Sequence, residues 1–220
     1  MLTADGISPR FLSLLEREPL AAMTVLDVAT GQGRLALALA PHCRRVIGID
    51  RDPALIDEAR HRARAAGLGN VEFIVADVEQ VKFADIISGE PRGRPDMITA
   101  HLYLADSLVQ EASRALSNGG VLAFVGFHAD QWGETGRRSR FAYDEDQVVR
   151  LLETWDFALD HLEVERDVRT FGSVEQALAA VVAFEDRWRV DGRWFRYLRY
   201  LEEGGRQLTR AWLIVKARRR

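Results

Sequence analysis

Three carboxylates stand in or directly after short apolar runs of the chain. Asp27 interrupts Val25-Leu26-Asp27-Val28, Asp50 closes Arg45-Val46-Ile47-Gly48-Ile49-Asp50, and Asp77 follows Asn70-Val71-Glu72-Phe73-Ile74-Val75-Ala76. Acids so placed can accept hydrogen bonds from sugar hydroxyls or from an amino group, and can pair with a cation. Gly31 and Gly33, in Ala29-Thr30-Gly31-Gln32-Gly33-Arg34, let a ligand approach the backbone closely. For proton chemistry near neutral pH the candidates are His101 and His128, whose imidazoles titrate there, with Tyr103 beside them as a packing or positioning phenol. No Cys/His set has metal-ligand spacing, and no glycine loop precedes Lys-Ser/Thr, so neither a metal nor a nucleoside triphosphate is expected.

Those residues need strands and helices to hold them. Val25–Val28, Arg45–Asp50, Asn70–Ala76, Pro95–His101 and Val121–Val125 are apolar runs of the length and type of buried parallel strands. Leu35-Ala36-Leu37-Ala38-Leu39-Ala40 continues the glycine turn as a strong helix former. Pro53 suits the first turn of a helix that runs to about Ala66 and stops at Gly67. Further helices are expected over residues 8–18, 78–88 (poorly marked), 105–116 and 144–155, and as one amphipathic segment over 173–188, opened by Ser173 with Glu175 and Gln176 near the capping-box position. Residues 89–95 and 128–140 read as surface loops, 157–166 and 207–217 as the last strands, and Arg218-Arg219-Arg220 as a solvated tail.

Taken alone, Gly31-x-Gly33-x-x-Ala36 is compatible with a plain turn, a dinucleotide site or a site for a sulfonium cofactor. Asp27 weighs on that choice. A pyrophosphate prefers a helix N-terminus free of nearby carboxylates, whereas S-adenosylmethionine has no phosphate and carries an ammonium and a sulfonium. An acid at the end of the first strand suits those cations. The cofactor reading is therefore S-adenosylmethionine, with Asp27, Ala29, Thr30, Gly31, Gly33 and Arg34 on its methionine side. Asp50 and Arg51 fall at the ribose, Asp77 and Val78 at the adenine, and His101 near the methyl group. Asp77 also has the position of a helix N-cap, a role compatible with the first.

The run from Val25 to Asp77, with Pro95–His101 and Arg114-Ala115-Leu116-Ser117-Asn118-Gly119-Gly120 leading into Val121–Val125, resembles the class I S-adenosylmethionine-dependent methyltransferases over about residues 20–127. Gly31-Gln32-Gly33-Arg34, Phe141-Ala142-Tyr143 and the acidic helix containing Trp155 resemble the tellurite-resistance-type branch. The chain departs from that branch at Ala29-Thr30 and by extra residues between Arg169 and Gln207. The resemblance implies an α/β, Rossmann-like, seven-stranded and mostly parallel sheet, helices on both faces and an antiparallel last strand.

Length sets one domain, residues 1–220, with an insertion or lid at 169–206. That insertion alternates aromatics with arginines from Phe184 to Arg206, a mixture that can pack on the sheet, cover a small substrate or stack on bases. The net charge of −3 provides no global basic field for nucleic acid. A single cysteine, Cys43, excludes an internal disulfide framework and reads as a small buried residue after the first helix. Neither a basic leader at Met1–Gly6 nor a membrane-length apolar run is present, so a cytoplasmic protein is expected. The expected activity is methyl transfer to a small-molecule acceptor. The alternatives are RNA or protein methylation, or a binding protein that has lost transfer.

Overall fold

The computed structural model describes residues 2–87 and 93–220. Eight strands form one sheet: β1 (Thr24–Val28), β2 (Arg45–Asp50), β3 (Val71–Val75), β4 (Met97–His101), β5 (Val121–His128), β6 (Ala142–Tyr143), β7 (Phe157–Thr170) and β8 (Gln207–Arg219). Seven of them run in the order β3-β2-β1-β4-β5-β8-β7, and the two-residue β6 pairs β5 off that path. β1 to β5 are parallel neighbours, while β8 runs antiparallel to both β5 and β7.

Strand alternation sorts the core into two layers. Val25, Val46, Phe73, Met97 and Val121 face one side, where they meet α1 (Pro9–Leu15), α2 (Arg34–Leu39) and α3 (Pro53–Ala65) through Phe11, Leu39 and Ile56. Their neighbours Leu26, Ile47, Ile98 and Leu122 face the other, against α4 (Phe83–Ile86), α5 (Asp106–Ala115) and α6 (Glu145–Thr154) through Phe83, Leu108 and Val148. A fully buried side chain of this type contributes about 1.5–3 kcal/mol. Burial on both faces is why these strands read as near-continuous apolar runs. Cys43 is buried and free.

Several elements differ from their sequence reading. The helix expected over 78–88 shrinks to the single turn α4, and residues 88–92, including most of the loop expected at 89–95, lie outside the described residues. α5 is preceded by Ala105, which gives it no side-chain cap, whereas α6 has a full capping box between Asp144 and Gln147. The 128–140 segment is not a plain polar loop. Gln131, Trp132 and Thr135 are buried, because β8 outruns β5 and its spare edge is closed by this segment. The Gln131 Oε1 accepts from the Ala211 N–H at 2.6 Å, and Glu134 accepts from the Thr209 N–H at 3.0 Å.

The single helix expected over 173–188 is three pieces: α7 (Val174–Ala179), a 3₁₀ turn at Val182–Phe184 and α8 (Glu185–Asp191), followed by α9 (Arg193–Glu202). The Ser173 hydroxyl accepts from the Gln176 N–H, as its type predicts, but the chain then bends to wrap its aromatics around one centre. Trp188, Trp194, Tyr197 and Leu201 pack with Trp132, Phe171 and Leu208 in a third core separate from the sheet layers. The basic C-terminus is not a solvated tail. Arg218 and Arg219 belong to β8, and the Arg218 Nη2 donates to the Glu18 Oε1 at 2.6 Å. β7 is the outer edge, carrying charged side chains and a register irregularity between Leu159 and His161 that disfavour pairing with another chain.

Candidate active site

The acids named above converge at the C-terminal ends of the parallel strands, where open α/β sheets place their ligands. Two cavities meet there and share Ala29. One, of about 320 Å³, is lined by Asp27, Ala29, Thr30, Gly31, Arg34 and His101, together with Gln32, Leu35, Leu55 and Leu102. The other, of about 240 Å³, is lined by Asp50, Arg51, Asp77, Val78 and Tyr103, together with Glu79, Arg140 and Phe141. Gly33 is the one residue of the glycine turn that lines neither.

The two glycines have different jobs. A Cβ on Gly31 meets nothing within 4 Å, so its space faces the open cleft. A Cβ on Gly33 would sit 2.7 Å from the Phe73 ring, at a φ of +76°. Gly33 thus seats α2 on the sheet, and Gly31 leaves room for a ligand. Gly33→Ala is expected to destabilise the fold by about 2–4 kcal/mol through overpacking and strain, while Gly31→Ala costs about 1 kcal/mol. Urea denaturation of both variants checks the ordering.

Asp27 is almost wholly buried and accepts from the Thr30 hydroxyl at 2.5 Å and the Thr99 hydroxyl at 2.9 Å. Burial raises its carboxyl to about 6, against the opposing pull of those hydroxyls. Asp50 is fixed by the Gly31 N–H at 2.9 Å and the Asp52 N–H at 3.0 Å, which ties the end of β2 to the glycine turn. Asp77 accepts from the Glu79 N–H at 3.0 Å and the Gln80 side chain at 3.1 Å, the turn-capping role, while still lining the cavity. Ala29 and Leu102, which follow β1 and β4, adopt φ values of 53° and 61° and both line the first cavity. Such left-handed non-glycine residues cost about 1 kcal/mol or more and cluster at functional sites.

The three proton-transfer candidates separate. His101 faces the first cavity, with the Phe11 ring of α1 at 6.4 Å between centroids. Burial and the nearby Arg34 charge lower it to about 4, which makes it a neutral, weakly basic imidazole at pH 7. Tyr103 lies in the second cavity, 6.5 Å from the Phe141 ring, with its phenol raised by burial. His128 lines neither. Its Nε2 is 2.9 Å from the Glu145 carboxylate, and its Nδ1 accepts from the Asp130 N–H at 3.1 Å, so both ring nitrogens are engaged within the fold. Sequence reasoning missed Leu102, Glu79, Arg140 and Phe141. Only the Arg140-Phe141 pair left a trace, an arginine–aromatic step directly before β6.

The acids of the two cavities suit cationic and hydroxyl groups of a ligand, and Arg34, Arg51 and Arg140 stand beside them. The walls carry Asp27, Asp50, Asp77 and Glu79, and the turn leaves open space above Gly31. Among the described residues, no cluster could hold a metal ion, and no helix is long and apolar enough to cross a membrane.

Residues 20–182 match the family described as a methyltransferase domain. Among solved structures, BH2331 from Bacillus halodurans C-125 superposes with a TM-score of 0.71 at 22% identity, over 96% of this chain and 99% of that one. TehB from Haemophilus influenzae superposes with a TM-score of 0.61 at 14% identity, over 98% of this chain and 63% of that one. At such identities these likenesses are of fold. A 23S rRNA (uracil(1939)-C(5))-methyltransferase, RlmD of Xylella fastidiosa, is 46% identical over 54 residues, which are 24% of this chain and 12% of that protein. The chain thus matches only a small fraction of the length of such curated relatives. With the family match spanning most of its length, the chain belongs to the methyltransferase-domain family.

Proposed function

We propose that the paired cavities hold S-adenosylmethionine and that the enzyme methylates a small-molecule acceptor at the ends of β4 and β5. The observation that carries the reading is that two cavities share Ala29, one lined by the glycine turn and Asp27 and the other by Asp50 and Asp77. The cofactor supplies a methyl group activated by a sulfonium leaving group. Asp27 pairs with the ammonium of the methionine part and Arg34 with its carboxylate. Asp50 accepts from the ribose hydroxyls, with Arg51 alongside. Asp77 accepts from the adenine amino group, the Val78 N–H faces a ring nitrogen, and Tyr103 and Phe141 cover the ring.

His101 is held neutral and desolvated, so it shapes the methyl end of the cleft and can accept a hydrogen bond from the acceptor without carrying charge. With an activated donor, alignment of the acceptor does most of the work. His101→Ala is expected to reduce turnover with little change in cofactor affinity, and full retained activity would remove it from the acceptor end.

Two features support a small acceptor over RNA. The aromatics of the 169–206 insertion are largely packed into their own core, as the blander reading of its arginine–aromatic pattern requires. The likeness to the rRNA enzyme is limited to a quarter of the chain. The insertion acts as a lid over the acceptor end. A tellurite-type oxyanion acceptor is a narrower option, drawn from the branch resemblance of Gly31-Gln32-Gly33-Arg34, Phe141-Ala142-Tyr143 and the helix containing Trp155.

Calorimetry with S-adenosylmethionine and S-adenosylhomocysteine tests the pocket, and absence of binding below the millimolar range would falsify the reading. The same titrations carry a pH signature. Below pH 6 Asp27 is protonated in the free protein and cannot pair with the ammonium. Affinity is therefore expected to rise with pH, approaching about tenfold per unit below pH 6, and to level off above it. Asp27→Asn should flatten that dependence. A profile equally steep in the variant would sever Asp27 from the ammonium.

A further inference from the structure

A separate cavity of about 330 Å³ opens beside the cofactor cleft and shares Arg140 and Phe141 with it. Phe127, near the end of β5, and Trp132, from the segment behind it, form its apolar wall. Its polar wall has five arginines and one carboxylate, Asp191. In a chain of net charge −3 this is a local excess of positive charge.

Each of the five arginines already has a partner in the fold. Arg138 donates to the Ala142 carbonyl at 3.1 Å and to Gln147, and the Arg140 guanidinium lies 4.5 Å above the Phe141 ring. The other three come together from the 128–140 segment, α8 and α9. Arg137 donates to the Asp191 carbonyl, and Arg193 to its carboxylate. Arg187 sits 5.6 Å above the Trp132 ring.

Arg193 is the informative one. It is 7% exposed, and its buried Nε has no hydrogen-bond partner in the structure. Burial draws its guanidinium below the ordinary value against the pull of Asp191, and the like charges of Arg137 and Arg187 add to the burial effect. A buried cationic donor with an unused N–H is costly until an acceptor arrives. Trp132 has a left-handed φ of 58°, the third such non-glycine residue to line a cavity in this molecule.

We propose that this cavity binds the anionic group of the methyl acceptor, which makes the acceptor a small organic acid, a carboxylate or a phosphate monoester with an apolar body. The inference rests on the methyl-transfer reading above. Guanidinium groups match either oxyanion in a planar, two-bond geometry, and Arg187 and Arg193 both lie against the Trp132 ring, at 5.6 and 5.9 Å. Phe127 and Trp132 receive the apolar body. The wall shared through Arg140 and Phe141 sets the acid beside the cavity of Asp50, Asp77 and Tyr103, and the remainder of the acceptor extends from there toward the methyl end at His101.

The test titrates the enzyme, saturated with S-adenosylhomocysteine, with benzoate, phenyl phosphate, neutral benzyl alcohol and a short oligouridylate, by calorimetry. At least one of the two acids is expected to bind and the alcohol not; which acid binds separates carboxylate from phosphate. Arg187→Gln and Arg193→Gln should each weaken acid binding by about tenfold or more, with S-adenosylhomocysteine affinity preserved. Arg187 is exposed, so its variant keeps the test decisive even where Arg193→Gln fails to fold. Acid affinity unchanged in Arg187→Gln overturns the proposal. So does equal binding of the alcohol, no binding of either acid, or binding of the oligouridylate alone with a steep salt dependence. Failure of S-adenosylhomocysteine itself to bind is a different result: it sinks the methyl-transfer reading, and this inference with it.

Discussion

Asp50→Ala is expected to weaken S-adenosylmethionine binding by at least about 100-fold. The carboxylate is assigned to two ribose hydroxyls, and hydrogen bonds to a charged acceptor contribute about 1.5–3 kcal/mol each, with 1.4 kcal/mol corresponding to a factor of ten. The loss has a second source. Asp50 also accepts from the Gly31 N–H, so its removal frees the glycine turn that shapes the neighbouring cavity. Asp50→Asn separates the two effects in part, because the amide oxygen can hold one of the two backbone N–H groups, that of Gly31 or of Asp52, while the charge is gone; a loss of about tenfold is expected for it. Titration calorimetry of both variants is the measurement, and wild-type affinity in Asp50→Ala would take the residue out of the site.

Glu18→Ala is expected to cost about 3–5 kcal/mol of stability without touching the cofactor cleft. Glu18 is buried after α1 and accepts from Lys216 and Arg218 of β8, each at 2.6 Å. Lys216 is itself buried, so deleting the acid leaves an ammonium inside the protein with only Asp160, 4.0 Å away, in attendance. The corresponding fall in melting temperature is on the order of 10 °C for a chain of this size. Replacing both members, Glu18→Met with Lys216→Met, should recover most of it, since the cost lies in the unpaired charge.

The pH dependence has a defined sign. Burial opposes the ionised form of Glu18, but the Lys216 and Arg218 bonds prevail and hold its carboxyl below the usual 4.5. Its contribution is complete above that value and is lost as pH falls through the lower folded one. Thermal melts of wild type and variant should converge in acid. A gap that persists there would mean the carboxylate is not the stabilising group.

The cofactor half of the molecule was legible because its signals are local. β2 begins and ends at the residues read from Arg45 to Asp50, since an apolar run closed by an acid needs no distant partner to be recognised. The same holds for Pro53 at the start of α3 and for the glycine turn. Where the outcome depended on remote contacts, the reading failed. Arg218-Arg219-Arg220 looks like a tail until Glu18 and Asp160 are brought beside it. Residues 173–188 have the periodicity of one helix, yet packing around Trp188 and Tyr197 breaks it.

His128 was misjudged for a different reason. Its place at the end of β5 was right, but side chains alternate along a strand, and His128 shares the face of Leu122 and Phe124, toward Glu145 at the start of α6. His101 falls on the opposite face and reaches the cleft. Leu102 carries no sequence signal at all for its left-handed conformation, because that conformation is imposed by the surrounding site.

The register of β7 with β8 places Thr170 opposite Gln207, so the chain leaves the sheet and re-enters it at paired residues. The two ends of the helical insertion are therefore about 5 Å apart, one strand spacing. A segment with such adjacent ends behaves as an exchangeable cassette: its length and helix content can change while the strands that hold it keep their separation. Arg187 and Arg193 lie inside the cassette, whereas Asp27, Asp50 and Asp77 lie outside it. On the proposed reading, replacement of one contiguous stretch changes the acceptor site and leaves the donor site as it is.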